Sequence, residues 1–134
     1  MKNKGIESLK LILFTRNIAH PACRQLMSAL NRMTVTFQII TVHQVLQEVM
    51  RKIRTDEALF VFLLTDVKDI EFLNGMQSQI QDRKIITILP DDSEYSHSIG
   101  CSMLPRFQAL LSDDMSMVAE VAARIIGSDS GGQK

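Results

Sequence analysis

The stretch Ala58-Leu59-Phe60-Val61-Phe62-Leu63-Leu64 is the longest apolar run in the chain, and it decides the fold class. It is rich in Phe, Val and Leu, and polar residues bound it on both sides. A run of this length is far too short to cross a bilayer, but it suits a β-strand that is covered on both faces. Such strands are typical of parallel sheets with helices on either side. The stretch therefore predicts a central strand of an α/β protein.

Four further apolar clusters resemble this one, and a segment with apolar residues at helical spacing follows each cluster. The clusters are Lys10–Phe14, Thr36–Ile40, Lys84–Leu89 and Phe107–Leu111. The second and fifth strands each carry a glutamine, which favours edge positions. The pattern predicts a three-layer (βα)5 sandwich with a parallel five-stranded sheet in the order 2-1-3-4-5.

Helix boundaries follow from capping signals in the same segments. Thr41 with Gln44 resembles a capping box, and Ser93 or Asp92 can cap the fourth helix. A third helix is expected from Ile70 to Ile80, and Gly127 is expected to close the fifth. Ser112, Asp113 and Asp114 are candidate caps for that last helix.

Length and charge limit the number of domains and the kinds of partner. A chain of 134 residues is the usual size of one domain, here expected at residues 9–127 between an N-terminal tail (1–8) and a flexible C-terminal tail or linker (128–134). Fifteen Lys plus Arg balance fifteen Asp plus Glu, so neither nucleic acid nor a membrane is an expected partner. The N-terminus lacks the pattern of a signal peptide, which favours a cytoplasmic protein.

In order of elements and in local phrases, the chain resembles the receiver domain of bacterial response regulators, which belong to two-component systems and have a flavodoxin-like fold. The phrases are LFVFLLTD, KIITILPDD and SIGCSMLPRFQALLSDD. This resemblance implies a magnesium-dependent phosphoacceptor aspartate at the end of the third strand. Asp66 occupies that position.

The other positions that the family uses depart from its pattern. Thr15, Arg16 and Asn17 stand where an acidic metal-binding pair is expected, Leu89 replaces a hydroxyl, and Ser112 lies where a lysine is expected. Phosphoryl transfer to a carboxylate requires cations that neutralise the developing charge. We therefore expect a pseudo-receiver with no metal, no cofactor and no enzymatic activity. A still phosphorylatable receiver that uses Asp66 is the alternative.

Arg16 offers a further hypothesis: its guanidinium could pair with Asp66 and fill the pocket with an internal ion pair. The simpler interpretation is that Asp66 caps the third helix. Asp91, Asp92, Asp113 and Asp114 also follow strands and could form a cation site with Asp66, although capping explains them as well.

Cys23 provides the third functional alternative, a thiol or phosphocysteine enzyme. It lies in FTRNIAHPACRQL, which looks locally like the first βαβ unit of a glutaredoxin with His20 in place of the first cysteine. Its spacing with Leu26 and Leu30 places it on the core side of a helix, and Pro21 suits the first turn of that helix. HPAC is thus predicted to be the turn from strand to helix.

The segment before the fifth strand is the predicted surface for a partner. Met103, Arg106 and Phe107 combine apolar bulk with a cation on the face through which receiver-like domains dimerise or meet partners. We therefore expect signal transduction by protein–protein interaction with another signalling protein or domain, or with a second copy as a homodimer.

Overall fold

The computed structural model describes residues 9–131, and side chains up to residue 127. Five parallel strands form one sheet in the order β2-β1-β3-β4-β5, which confirms the predicted topology. The strands are β1 (Lys10–Phe14), β2 (Gln38–Ile40), β3 (Ala58–Leu63), β4 (Lys84–Leu89) and β5 (Phe107–Leu110). The helices in this part of the chain are α1 (Pro21–Arg32), α2 (His43–Lys52), α3 (Val67–Asn74), α4 (Gln77–Ile80), α5 (Glu94–Ser102) and α6 (Met115–Gly131).

The apolar run of β3 lies at the centre of the sheet, and all six of its residues are buried. Side chains alternate along a strand, so Leu59 and Val61 face one layer of helices while Phe60 and Phe62 face the other. The first core is closed by α1 and α6, and the second by α2, α3, α4 and α5. These two cores give the predicted three layers.

Two helix boundaries differ from the prediction. The third helix ends at Asn74, with Gly75 as its C-cap, and Ile80 reaches the core from a separate four-residue helix, α4. The last helix continues past Gly127 to Gly131, so the prediction that Gly127 ends it was wrong. A glycine inside a helix costs only about 1 kcal/mol, and Ile125 and Ile126 pack on the core immediately before it. Residues 1–8 and 132–134 of the two predicted tails lie outside the described residues.

The observed helix caps agree in part with the predicted ones. Ser93 precedes α5 and its hydroxyl accepts a hydrogen bond from the Ser96 amide. His20 precedes α1, where its Nδ1 accepts from the amide of Ala22 and Pro21 occupies the first turn. HPAC is therefore the turn from strand to helix. The capping box at Thr41 was wrong, because α2 begins after Val42, whose side chain makes no capping bond.

A partly buried arginine at the amino end of the sheet, Arg83, joins three segments. The Arg83 guanidinium donates to the carbonyl oxygens of Met50, Ile53 and Gln79 and lies over the Phe60 ring, 5.7 Å from its centroid. These carbonyls lie at the ends of α2 and α4, where helices leave acceptors unpaired. Burial lowers the pKa of Arg83. The hydrogen bonds of Arg83 thus link α2 and α4 to the amino end of β4.

Candidate functional site at the carboxyl ends of the strands

The carboxyl ends of β1 and β3 bring together a group of charged and aromatic side chains. In an open parallel sheet, ligands bind beyond the carboxyl ends of the strands, so this edge is where a functional site is expected. Arg16 follows β1, His43 begins α2 after β2, and Asp69 lies in the first turn of α3 after β3. Because β2, β1 and β3 are neighbours, the three residues meet at one edge.

Asp69 is the centre of this group, and its side chain is only 1% exposed. Its carboxylate accepts hydrogen bonds from the Thr65 amide at 3.0 Å, from the Thr65 hydroxyl at 3.3 Å and from Nη1 of Arg16 at 3.1 Å. The first helical turn brings it back over Thr65, because residues four apart lie on one face. A buried carboxylate of this kind needs such partners to remain charged.

Arg16 therefore pairs with Asp69, three residues beyond the aspartate that the sequence suggested. Asp66 is exposed and caps α3, its Oδ1 accepting from the amide of Asp69 at 3.1 Å. The hypothesis of an Arg16–Asp66 pair was wrong, and the capping interpretation of Asp66 holds. The physical reason is that the cap directs Asp66 towards backbone amides, whereas Asp69 turns inward.

The imidazole ring of His43 lies between Phe72 and Asp69 at this site. Its ring stacks on Phe72 with centroids 3.5 Å apart and planes 5° from parallel. Its Nε2 lies 4.0 Å from Oδ1 of Asp69, is buried, and has no hydrogen-bond partner within the described residues. Burial is the main cause that lowers the pKa of His43, Arg16 lowers it further, and Asp69 opposes both. The balance of these effects favours the neutral form of His43.

The remaining residues of the predicted pocket have separate surroundings. The buried hydroxyl of Thr15 accepts from the Asn17 amide at 3.1 Å, and Asn17 itself is exposed. Leu89 lies in the hydrophobic core, and Ser112 is exposed in the loop after β5. Of the predicted pocket residues, Arg16 alone is placed against the buried carboxylate.

The predicted partner surface is only partly available. Met103 is 3% exposed and belongs to the core, which corrects its assignment to a surface. Arg106 is exposed, and Phe107 is half-buried against the core. Leu104, in the same segment, is the most exposed large apolar residue among the described side chains, at 77%.

Three other aspartates at this edge accept hydrogen bonds from nearby residues. Asp91 accepts from the Ser93 amide and the Ser96 hydroxyl, Asp113 from the Leu110 amide, and Asp114 from the Ser116 amide. Hydrogen bonds from Ser93 and Ser96 lower the pKa of Asp91. Within the described residues, no three acidic, histidine or cysteine side chains gather as metal ligands. Turn and helix capping account for these aspartates.

Cys23 lies in the core below α1 and is fully buried. Burial raises the pKa of its thiol, which disfavours the thiolate that a nucleophile requires. Cys101 is exposed on α5, where its sulfur lies 3.8 Å from Nε2 of Gln108. The helical spacing of Cys23 with Leu26 and Leu30 predicted this placement, which the structure confirms.

Asp69 and His43 are the residues that sequence reasoning missed. The three histidines fall in different βα units and form no spacing that suggests a pair. Only the order of the strands shows that the start of α2 lies beside the start of α3. The available signal was the second aspartate of DVKD, one helical turn after the cap.

Comparison with known proteins shows a similarity of fold. No family model matches the chain, and no curated protein matches it. Its fold is similar to a solved structure described as the crystal structure of the RPS4 and RRS1 TIR domain heterodimer. The TM-score is 0.56 at 17% identity, and the match covers 92% of this chain and 99% of the other. Among residues 9–131, no helix is both long and apolar enough to span a bilayer.

This match corrects the sequence-based identification. The receiver resemblance, with its response-regulator and two-component setting, was wrong, because a solved structure that shares the fold is a TIR domain heterodimer. Receiver and TIR domains are both built from alternating strands and helices, so the order of elements alone does not separate them. At this identity the comparison shows the shared flavodoxin-like fold, and it carries no residue role to this chain.

Proposed function

We propose that the domain is a non-catalytic signalling module that acts by binding another protein or protein domain. The observation that carries the proposal is the Arg16–Asp69 ion pair, which occupies the sheet edge where a parallel α/β fold places its ligands. Arg16 and Thr65 donate hydrogen bonds to the carboxylate oxygens of Asp69. The two charged side chains at the expected ligand site, Arg16 and Asp69, thus stabilise the fold by binding each other.

Two further observations support this proposal. The His43 ring is stacked on Phe72, so packing fixes its position. The domain that shares this fold was solved as a heterodimer, which gives a precedent for association between two domains of this shape.

A paired experiment tests the two halves of the proposal. Purified protein is incubated with nucleotides, flavins and phosphate esters, and the substrates are followed by proton and phosphorus NMR. We expect no turnover. Turnover that is lost in Asp69→Asn or His43→Gln would overturn the non-catalytic assignment.

For the binding half, the tagged domain is used to capture proteins from an extract of its source cells. We expect at least one protein retained in stoichiometric amount, whose purified form binds the domain in calorimetry. Retention of nothing beyond the tag control would contradict the proposal.

A further inference from the structure

The two carboxylate oxygens of Asp69 have different partners. Oδ2 accepts from both the amide and the hydroxyl of Thr65, at 3.0 and 3.3 Å, so one neighbouring residue holds it with two donors. Oδ1 accepts from Nη1 of Arg16 at 3.1 Å, and Nε2 of His43 lies 4.0 Å from the same oxygen. Arg16 and His43 therefore approach one oxygen atom from two different segments of the chain.

The Nε2 atom of His43 is buried and makes no hydrogen bond in the part of the chain that the structure describes. A buried polar atom without a partner is destabilising, and native proteins contain few of them. The ring is held by its stack on Phe72 and by its contact with Phe14, whose centroid lies 5.7 Å away. A charged hydrogen bond from Nε2 to Asp69, at about 2.8 Å, needs a shift of roughly 1 Å from the present distance.

Protonation changes what Nε2 can donate. One ring nitrogen of neutral histidine carries a hydrogen, whereas both do in the imidazolium, so Nε2 of His43 becomes a cationic donor beside Oδ1 of Asp69. Two cations then compete for one oxygen. The Arg16 side chain is 42% exposed, so water can solvate it, whereas the Nε2 atom of His43 is buried. Separation of Arg16 from Asp69 therefore costs less than leaving a buried imidazolium without an acceptor.

The groups around the His43 ring are of two kinds, charged and aromatic. Burial is the largest cause that lowers the pKa of His43, and the charges that add to it or oppose it are those of Arg16 and Asp69. Phe14 of β1 and Phe72 of α3 contact the ring and do not titrate. The other charged residues of α2 and α3 and the cap of α3 are exposed: Glu48, Arg51, Lys52, Asp66, Lys68 and Glu71.

We propose that His43 is a pH-sensitive switch that controls the Arg16–Asp69 ion pair. While His43 is neutral, Oδ1 of Asp69 binds Arg16. Once Nε2 takes a proton from water, Oδ1 accepts a hydrogen bond from His43 and Arg16 is released to solvent, while Thr65 keeps Oδ2 in place. The carboxyl edge of the sheet thus presents a paired arginine in one state and a free arginine in the other. The switch operates within a single chain, so the inference goes beyond the proposed function and does not depend on a partner.

NMR of the full chain, titrated from about pH 8 to about pH 5, where histidine changes its charge, tests the proposal. The ring nitrogens of His43 report its protonation, and the guanidinium resonances of Arg16 report whether rotation of that group is restricted. We expect restricted rotation at the upper end, fast rotation at the lower end, and one midpoint for both residues. The inference is overturned by an Arg16 that stays restricted after His43 is protonated, by one that is free throughout, or by a His43 that stays neutral or leaves Phe72.

Three variants separate this switch from other titrations. In His43→Gln the Arg16 guanidinium should stay restricted over the whole range, because glutamine takes up no proton. His20→Asn is the matched control, since His20 lies in the loop that contains Arg16 and asparagine retains an acceptor for the cap of α1. That variant and His97→Gln, exposed on α5, should leave the midpoint unchanged. Release of Arg16 with the same midpoint in His43→Gln would assign it to the carboxylate and contradict the inference. The shared midpoint in the unmodified protein is a test that requires no variant to fold.

Discussion

Nη1 of Arg16 lies 3.1 Å from Oδ1 of Asp69, although 53 residues separate the two in the chain. The pair is asymmetric, since the arginine side chain is 42% exposed and the aspartate 1%. Removal of Arg16 and removal of Asp69 are therefore expected to affect the remaining partner differently. Arg16→Gln leaves a buried carboxylate with Thr65 alone, whereas Asp69→Asn leaves a cation that water can reach.

We expect Arg16→Gln to lower the free energy of unfolding by about 1 kcal/mol, a value kept small because solvent screens the exposed end of the pair. A double-mutant cycle with Asp69→Asn, measured by urea denaturation, should give a coupling energy of about 1 kcal/mol. Additive effects of the two substitutions would show that the pair makes no specific contribution.

His43 should make stability depend on pH near neutrality. Its pKa in the folded protein lies below the ordinary value of about 6.5, so below that pH the unfolded chain binds more protons than the folded one. The free energy of unfolding should therefore fall as the pH drops from about 7 through the folded pKa of His43. Denaturation at a series of pH values measures this slope, and His43→Gln should remove it.

The same histidine reports on Arg16. Because the guanidinium lowers the pKa of His43, Arg16→Gln should raise that pKa in an NMR titration of the ring protons. A His43 resonance that titrates above 6.5 in the unmodified protein would contradict the burial described here.

Replacement of Arg83 by lysine should lower the free energy of unfolding. Three carbonyl oxygens receive its guanidinium, and a single ammonium group cannot reproduce that planar arrangement of donors. We expect Arg83→Lys to lower the free energy of unfolding by about 1.5–3 kcal/mol, as for a hydrogen bond to a charged group. Urea denaturation measures the change.

Arg51→Lys is the matched control for that substitution. Arg51 pairs with Glu48 on the surface of α2, and both side chains are mostly exposed. This change should stay within about 0.5 kcal/mol. Equal effects at the two positions would mean that the three carbonyl contacts of Arg83 contribute no more to stability than a surface ion pair.

The two cysteines should differ sharply in reactivity. Cys101 is exposed and should react quickly with iodoacetamide in the native protein, whereas Cys23 should react only when the chain unfolds. Mass spectrometry of the labelled peptides over time distinguishes the sites, and Cys101→Ser provides a protein in which Cys23 is the sole thiol. Rapid native labelling of Cys23 would revive the thiol-enzyme alternative.

The fold was predictable because its strongest signals are local. The apolar run of β3, the glutamines of β2 and β5, and the alternation of strands with helices all depend on short-range pattern, and the structure confirms their order. The break at Gly75 and the extension beyond Gly127 were missed because one glycine shifts helix stability by only about 1 kcal/mol, and packing decides the outcome.

The candidate site was less predictable because its contacts join distant segments. Arg16 was identified, yet its partner was placed at Asp66 because that residue directly ends the strand region. Only the inward turn of Asp69 and the neighbouring start of α2 at His43 distinguish the actual cluster. The sequence likewise marked the apolar bulk of Met103 without showing that the end of α5 buries it.

The long separation between Arg16 and Asp69 also has a kinetic consequence. Their contact requires β1 to be paired with β3 and α3 to be formed, so we expect it to form after that pairing. An interaction that is absent from the transition state leaves the folding rate nearly unchanged and slows unfolding. We therefore expect the ion pair to slow unfolding, and so to lengthen the lifetime of the folded sheet edge, with little effect on the folding rate.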